Sequence, residues 1–229
     1  MKLLYLWLNL GSFVIPFIFS FHPKIRFYKK WSSLFIGIVA MMMVFIPWDI
    51  YFTAQGIWGF NELFISGIKL FKLPLEEWLF FICIPYACIF THEALITLFP
   101  KFQFSKKATN GIYLSLVAIL IITLWYHYHQ WYTAFCFGYA LLILGITYNY
   151  KRELLLSFFA TYLIILIPFF IVNGILTGSF IEEPVVWYNN SENSNLRLGT
   201  IPIEDTIYNL GMLLTVLLIT NHVSSKRAA

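Results

Sequence analysis

Two acidic pairs stand at the beginning of two apolar segments of the chain. Glu76 and Glu77 lie in the segment PLEEWLFF, and Glu204 and Asp205 lie in the segment PIEDTIYN in the second half of the chain. Either pair alone is explained by helix capping, because proline suits the first turn of a helix and acids there complement the helix dipole. Four carboxylates in one cleft of low dielectric would not all ionise, so a proton would remain available for general acid–base chemistry.

The composition indicates what kind of element must position these acids. The chain has 229 residues, of which 60% are hydrophobic and 11% are charged, whereas a soluble domain carries about 25% charged residues. The first apolar run lacks a small-residue cleavage site, so we expect a retained helix rather than a signal peptide. The sequence predicts an all-α integral membrane protein with seven transmembrane helices, at about 3–21, 31–48, 75–98, 108–126, 131–148, 154–173 and 203–222.

Basic residues divide the predicted loops into two groups. Eleven of the fifteen Lys and Arg residues fall on one side, around 24–30, 101–107, 151–152 and 226–227. The positive-inside rule places this side in the cytoplasm, with the N-terminus outside and the C-terminus inside, in what we expect to be a bacterial inner membrane. Both acidic pairs and Asp49 then lie on the outer side. Since the +4 net charge reflects this topology, we expect no nucleic-acid partner.

The chain can be divided into two similar three-helix units. Residues 1–100 end in PLEE plus a helix, residues 131–229 end in PIED plus a helix, and residues 101–130 would form a linker helix. Because three spans reverse the chain direction, the linker would make the repeats parallel, related by an axis along the membrane normal. Spans 3 and 7 would then face a shared centre.

The prolines that precede the two acidic pairs, Pro74 and Pro202, give the offset in residue number between the units. We call this offset the repeat spacing. Aromatic segments that begin at Trp58 and Trp187 precede these prolines at nearly equal distances along the chain. The similarity between the units therefore extends into the loops before the acidic pairs.

The two repeats are expected to differ just before their acidic pairs. The segment FNELFISGIKLFK, residues 60–72, has apolar residues at the spacing of an interfacial helix. The corresponding segment NNSENSNLRLGT, residues 189–200, is polar and is predicted to be a loop.

Three further polar residues fall near the ends of predicted spans. Glu93 lies farther along the same predicted span as Glu76, about 25 Å away along a helix. This places it near the cytoplasmic interface, where snorkelling or pairing with His92 or a lysine is favoured over catalysis. His127 and His129 fall in a short turn, and an interfacial pair is favoured over a metal site.

Several motifs that would indicate other chemistry are absent from the sequence. There is no G-x-G-x-x-G segment, no D-x-x-x-D pair and no histidine box, which argues against dinucleotide enzymes, prenyltransferases and di-iron desaturases. The three cysteines fall within spans and are expected to be small buried hydrophobes. We therefore predict no cofactor and no metal.

Four ordered segments resemble the lycopene cyclase domain family, small membrane carotenoid cyclases found as two short subunits or as a fused chain. They are LPLEEWLFF in the first half and VNGILTG, VVWYNN and RLGTIPIEDTIYNL in the second, so the resemblance covers nearly the whole chain. It implies formation of β-ionone rings at the ends of lycopene, leading to β-carotene, with no net redox change. The chain departs from the family at Asn221, where an acid is common.

The acidic pattern and the resemblance together define the candidate site. Glu77 and Asp205 are the leading acid–base candidates: a protonated acid of the cluster would protonate a terminal C=C bond, and a carboxylate partner would remove a proton after ring closure. Their neighbours Glu76 and Glu204 complete the catalytic set and would tune them. The candidate substrate-binding residues are Asp49, Trp58, Phe80, Phe81, Asn173, Trp187, Arg197, Tyr208 and Asn209, with Glu93 as a further candidate.

The implied partners are a carotenoid from the lipid phase, the membrane itself and other enzymes of the carotenoid pathway. Two other classes stay open. One is a seven-helix proton-coupled carrier or binding protein for an apolar ligand, although its acids would be expected at the midplane rather than at one end. The other is a membrane assembly factor without chemistry.

Overall fold

A computed structural model describes residues 2–228 of the chain, with the backbone alone for 227 and 228. Two ends of the predicted repeats, Met1 and Ala229, lie outside the described residues. The side chain of Arg227, which belongs to the predicted basic group, is likewise not described. The described part contains seven α-helices: α1 (Leu4–Phe19), α2 (Trp31–Gln55), α3 (Leu75–Leu98), α4 (Lys106–His127), α5 (Trp131–Tyr150), α6 (Arg152–Leu176) and α7 (Ile203–Ala228).

The prediction of a fold built from seven helices is confirmed. By length and composition, six of them, α2 to α7, could cross a membrane, whereas α1 is shorter, with 16 residues. The predicted end of the second span was too early, because α2 continues to Gln55. Gly56, which follows it, has the left-handed φ of 68° that is common after helices. Asp49 therefore lies inside a helix and not at the start of a loop.

The helix α2 packs closely along α7, and this contact sets the position of Asp49. A Cβ atom at Gly37 would lie 2.7 Å from Thr220 Oγ1 and 2.9 Å from the backbone oxygen of Val216. Glycine is therefore what allows the two helices to approach this closely. One consequence is a hydrogen bond of 3.1 Å from the Tyr208 hydroxyl on α7 to Asp49 Oδ1 on α2.

Three two-stranded ribbons lie in the loops that precede α3 and α7. The strands β2 (Lys69–Leu70) and β3 (Leu73–Pro74) form one hairpin, and β5 (Arg197–Leu198) and β6 (Ile201–Pro202) form another. Their registers correspond, since Lys69 pairs with Pro74 in the first hairpin and Arg197 pairs with Pro202 in the second. Arg197 follows Lys69, and Pro202 follows Pro74, by one repeat spacing. The third ribbon joins the two loops, with β1 (Trp58–Phe60) antiparallel to β4 (Val186–Tyr188).

The predicted interfacial helix in residues 60–72 is wrong. This segment consists of turns and strand β2, and three of its residues, Gly67, Phe71 and Lys72, have positive φ angles of 87°, 51° and 73°. A right-handed helix requires negative φ, so the apolar spacing could not be realised as a helix here. Residues 189–200 form the predicted loop, apart from a short 3₁₀ turn and β5, so the two segments are more alike than the sequence indicated.

Replacement of Gly37 by leucine should loosen the contact between α2 and α7. Overpacking a close helix contact costs about 1–3 kcal/mol, and about 2–4 °C of melting temperature is lost per kcal/mol for a chain of this size. The matched control is Gly111→Leu on α4, where an added Cβ meets no atom of the described residues within 4 Å. Melting curves in detergent should show a drop for the first variant alone, and equal curves would contradict the packing role of Gly37.

Candidate active site

A small chamber with acidic and aromatic side chains in its wall lies at the end of the helix bundle where α3 and α7 begin. Its volume is about 60 Å³. Glu77 and Asp205 reach it from the first turns of α3 and α7, Asp49 reaches it from α2, and Asn173 reaches it from α6. The chamber therefore gathers three carboxyl groups that are far apart in the sequence.

Asp205 is surrounded by hydrogen-bond donors. The hydroxyl of Tyr132 donates to Oδ1 over 2.5 Å, and Oδ2 accepts from Asn173 Nδ2 at 2.7 Å and from the Tyr188 hydroxyl at 2.9 Å. A carboxylate has only acceptor oxygens, whereas a protonated carboxyl group must also donate. Three donors around one side chain therefore match the carboxylate form of Asp205.

Glu77 and Asp49 form a different arrangement. The Tyr5 hydroxyl donates to Glu77 Oε2 over 2.6 Å, and the side chains of Glu77 and Asp49 lie within hydrogen-bonding reach of each other. A hydrogen bond between two carboxyl groups requires one of them to carry a proton. We refer to these two residues as the carboxyl pair, and their geometry fits a shared proton beside the Asp205 carboxylate.

The ribbon of β1 and β4 covers the chamber, and Trp58, Phe60 and Tyr188 line it from this side. Tyr188 lies in the loop before α7, and burial together with the charge of Asp205 raises the pKa of its hydroxyl well above the ordinary value. The hydroxyl therefore stays protonated and able to donate to Asp205 at neutral pH. Trp187, predicted to bind substrate, packs instead on Gly59, where an added Cβ would overlap its ring.

The first acid of each pair holds a loop rather than facing the chamber. Glu76 Oε1 accepts the backbone N–H of Ser66 at 2.7 Å, and Glu204 Oε1 accepts the backbone N–H of Ser194 at the same distance. Glu204 Oε1 also accepts the Thr133 hydroxyl at 2.6 Å. Neither glutamate is among the residues that line the chamber. These two acids fasten the hairpins β2–β3 and β5–β6 to the starts of α3 and α7.

The structure gathers most, but not all, of the candidate binding residues. Phe81 is buried against Phe45, with ring centroids 6.4 Å apart, and does not line the chamber. Arg197 is exposed and donates to the backbone oxygen of Thr200 and to Asn190 Oδ1. Six candidates do line the chamber: Asp49, Trp58, Phe80, Asn173, Tyr208 and Asn209.

Glu93 lies near the opposite end of α3 from the chamber. Its Oε2 accepts a hydrogen bond from Lys30 Nζ over 2.6 Å. This is the pairing with a lysine that the sequence favoured for Glu93. The neighbouring His92 is buried, and its Nδ1 contacts the Thr161 hydroxyl at 2.7 Å.

Two tyrosines that hold the acids were missed in the sequence. Tyr5 lies in the first turn of α1 and donates a hydrogen bond to Glu77, whereas Tyr132 lies in the first turn of α5 and donates to Asp205. Their separation along the chain is almost the repeat spacing. Alignment of the first helix of each repeat would have found them. The apolar lining residues Phe60, Phe169, Leu176, Val186 and Met212 carry no such signal, because they lie in a chain that is apolar almost throughout.

Comparison with known proteins gives one family and several fungal relatives. A family model described as lycopene cyclase matches residues 2–95 and 129–223. A protein of Aspergillus niger named bifunctional lycopene cyclase/phytoene synthase is 24% identical over 91 residues, 38% of this chain and 16% of that protein. Proteins with the same name from Leptosphaeria maculans and Pyrenophora tritici-repentis are 40% and 38% identical over 63 and 66 residues, which is 28% and 29% of this chain.

The matches span only a small part of these relatives, between 10% and 16% of their length. No solved structure matches the chain.

The loop-holding contacts of Glu204 lead to a test of its role. Replacement by alanine leaves the Ser194 N–H and the Thr133 hydroxyl without their acceptor, which should cost about 1–3 kcal/mol for each buried group left unpaired. Replacement by glutamine keeps one acceptor oxygen for these two donors. The amide nitrogen then takes the place of Oε2, an atom that has no hydrogen-bond partner among residues 2–228, so no hydrogen bond is lost there. Melting curves and limited proteolysis of the 190–202 loop should therefore show Glu204→Ala as much less stable than Glu204→Gln. Equal stability of the two variants would contradict the loop-holding role.

Proposed function

Because the chain belongs to the lycopene cyclase family, we propose that it forms β-ionone rings at the ends of lycopene. The reaction is an intramolecular isomerisation with no net redox change, on the route to β-carotene. The observation that carries the proposal is the chamber, in which the carboxyl pair and the Asp205 carboxylate meet among aromatic side chains. A proton donor and a proton acceptor beside one largely apolar space are what such a cyclisation needs.

The proposed reaction begins with proton transfer from the carboxyl pair, through Glu77, to the terminal C=C bond. The electrons of that bond form the new C–H bond and leave a tertiary cation. The next double bond of the chain attacks this cation and closes a six-membered ring, which moves the positive charge into the ring. Asp205 then removes a proton from the adjacent carbon, and the remaining electron pair forms the ring C=C bond. One proton enters and one leaves, so the product is an isomer of the substrate.

Aromatic side chains would stabilise the cation during ring closure. Trp58, Phe80 and Tyr208 line the chamber together with the acids. A cation over an aromatic face gains about 0.5–2 kcal/mol, and more when water is excluded. The covering ribbon of β1 and β4 would limit water, which would otherwise capture the cation.

We also propose that the helices cross the membrane as two parallel three-helix repeats, residues 1–100 and 131–229, joined by the linker helix of 101–130. The register of the ribbon between the repeats supports this arrangement, with Trp58 opposite Tyr188 and Gly59 opposite Trp187. A twofold rotation between the two strands would place residue 58 on residue 187 and residue 59 on residue 188. It would thereby exchange the pair Trp58–Tyr188 with the pair Gly59–Trp187, as expected for two repeats related by such an axis. The chamber would then lie on the outer side and the basic loops in the cytoplasm. The bacterial inner membrane stays a prediction, since the relatives described above are fungal.

Substitution of the two chamber acids tests the proposed chemistry. In a lycopene-accumulating bacterium, Glu77→Gln and Asp205→Asn should each lower β-carotene formation by a factor of about 10² or more, the usual contribution of a general acid or base. Glu182→Gln, which changes an exposed loop glutamate in the same way, is the matched control and should convert lycopene like the unsubstituted protein. Unchanged β-carotene in both chamber variants at equal protein level would exclude the acid–base role.

The position of the chamber at one end of the bundle predicts a stepwise product pattern. A C40 carotenoid is about as long as the bilayer core is thick, roughly 30 Å, so only one of its ends could reach the acids at a time. Cyclisation of both ends would then require release and rebinding, and a one-ring product should accumulate first at low enzyme concentration. Time courses that pass from lycopene to the two-ring product without this intermediate would contradict the arrangement.

A further inference from the structure

An apolar groove runs beside the chamber along one side of α3. It has a volume of about 260 Å³ and lies between α1, α3 and α6. Gly11 and Ile15 line it from α1, Ala87 and Thr91 from α3, and Pro168 from α6. We call this cavity the α1/α3/α6 groove.

The groove and the chamber are contiguous. Four residues line both cavities: Phe80, Phe169, Asn173 and Leu176. One of them, Asn173, also donates a hydrogen bond to Asp205. A molecule in the groove would therefore extend directly to the acids.

The few polar side chains of the groove are already satisfied. The Thr91 hydroxyl donates to the backbone oxygen of Ala87 at 2.8 Å, and the Ser12 hydroxyl donates to that of Leu8 at 2.8 Å. Hydroxyl groups bonded to their own helix in this way need no partner from a ligand. The surface that remains suits an apolar occupant without hydrogen-bonding groups.

We infer that the α1/α3/α6 groove holds the polyene chain of an acyclic carotenoid while one end of that chain reacts in the chamber. This inference rests on the proposed function. The chamber alone, at about 60 Å³, is smaller than the cavity of about 150 Å³ that accepts a benzene molecule. A ring end therefore needs the space of the chamber and the groove together, and Phe80 and Phe169 lie in the wall of both. From Phe80 to Thr91 the groove follows α3 for roughly 17 Å of helix.

The second repeat has the corresponding helix face filled. Thr215 and Val216 on α7 lie one repeat spacing after Ala87 and Cys88, and they are only 5% and 0% exposed. The Thr215 hydroxyl contacts the hydroxyl of Tyr139 on α5 at 2.8 Å. Where α3 has an open groove, α7 is therefore packed against its neighbours.

Aromatic rings close this second path near the chamber. Tyr208, the counterpart of Phe80, contacts Phe45 and Trp48 of α2, with ring centroids 5.0 and 5.3 Å away. Trp48 also packs against Phe135 of α5. The polyene chain therefore has its path on the side of the first repeat, between α1 and α6.

A pair of equivalent glycines gives a matched test. Gly11 lies in the groove, and Gly138 on α5 follows it at the same spacing that separates Tyr5 from Tyr132. A Cβ atom at either glycine meets no neighbouring atom of the described residues within 4 Å. Phenylalanine can therefore be introduced at both positions without a backbone clash, but only at Gly11 does its ring enter the groove.

Conversion of lycopene to β-carotene should fall at least about tenfold for Gly11→Phe and stay unchanged for Gly138→Phe, at equal protein level. Binding provides a second readout, because lycopene added to purified protein in nanodiscs changes its absorption spectrum when the polyene is held by the protein. With Glu77→Gln present to prevent turnover, Gly11→Phe should abolish this change and Gly138→Phe should not. Melting curves verify that each variant is folded. If Gly11→Phe does not fold, Ala87→Phe takes its place in both measurements, because Ala87 lines the groove from α3.

The outcomes separate the groove from the proposed function. If folded Gly11→Phe converts and binds lycopene normally while Glu77→Gln abolishes conversion, the inference about the groove is overturned and the cyclase function remains. Equal loss in Gly11→Phe and Gly138→Phe also overturns it, because the effect would not depend on the groove. Failure of the unsubstituted protein to convert lycopene overturns the proposed function, and the groove inference with it.

Discussion

Burial of three carboxyl groups in an apolar helix bundle is the constraint on which the rest of the structure depends. Asp49, Glu77 and Asp205 are 1%, 8% and 6% exposed, and a buried ionisable group costs several kcal/mol unless it is paired or hydrogen-bonded. The surrounding elements supply these partners. The first helix of each repeat contributes a tyrosine hydroxyl, α6 contributes an amide, and the covering ribbon contributes the Tyr188 hydroxyl. Loops and helices are thus tied together around the acids.

The doubled acidic motif divides its work between its two members. Neighbouring residues on an α-helix point in directions about 100° apart, so two adjacent acids in a first helical turn cannot serve the same space. In both repeats the first acid turns back to hold a serine N–H of the preceding loop, and the second faces the chamber. The first acid of each pair therefore has a structural contact with the loop, and the proposed chemistry falls to the second acid.

The two repeats share a scaffold but differ in how their helix faces are filled. The hairpin registers and the serine–glutamate contacts recur at the repeat spacing. Around the second acids the equivalence ends, because Glu77 meets Asp49 whereas Asp205 meets three neutral donors. Two similar frames with unlike surroundings thus place a pair of carboxyl groups beside one acid that is held by three donors, the asymmetry that the proposed proton donor and acceptor would require. The open groove beside α3 and the filled face of α7 follow the same pattern.

The sequence by itself determined the helices and the repeated acidic motif. Runs of about 20 apolar residues are a local property, and the repeat spacing can be read directly from the chain. It also marked the four paired acids, since acids in an apolar chain are rare enough to stand out, but it did not separate the second acid of each pair from the first. It failed for residues 60–72, because apolar spacing does not reveal that residues 67, 71 and 72 adopt positive φ angles to form a hairpin.

Only the tertiary structure decided which groups meet the acids and where space remains. The contact of Asp49 with Glu77 joins α2 to α3, and that of Tyr188 with Asp205 joins a loop to α7. The groove likewise depends on how three helices pack around small residues such as Gly11 and Ala87. Contacts and cavities of this kind arise from side chains far apart in the chain, and no local pattern of hydrophobicity or spacing encodes the distance between them.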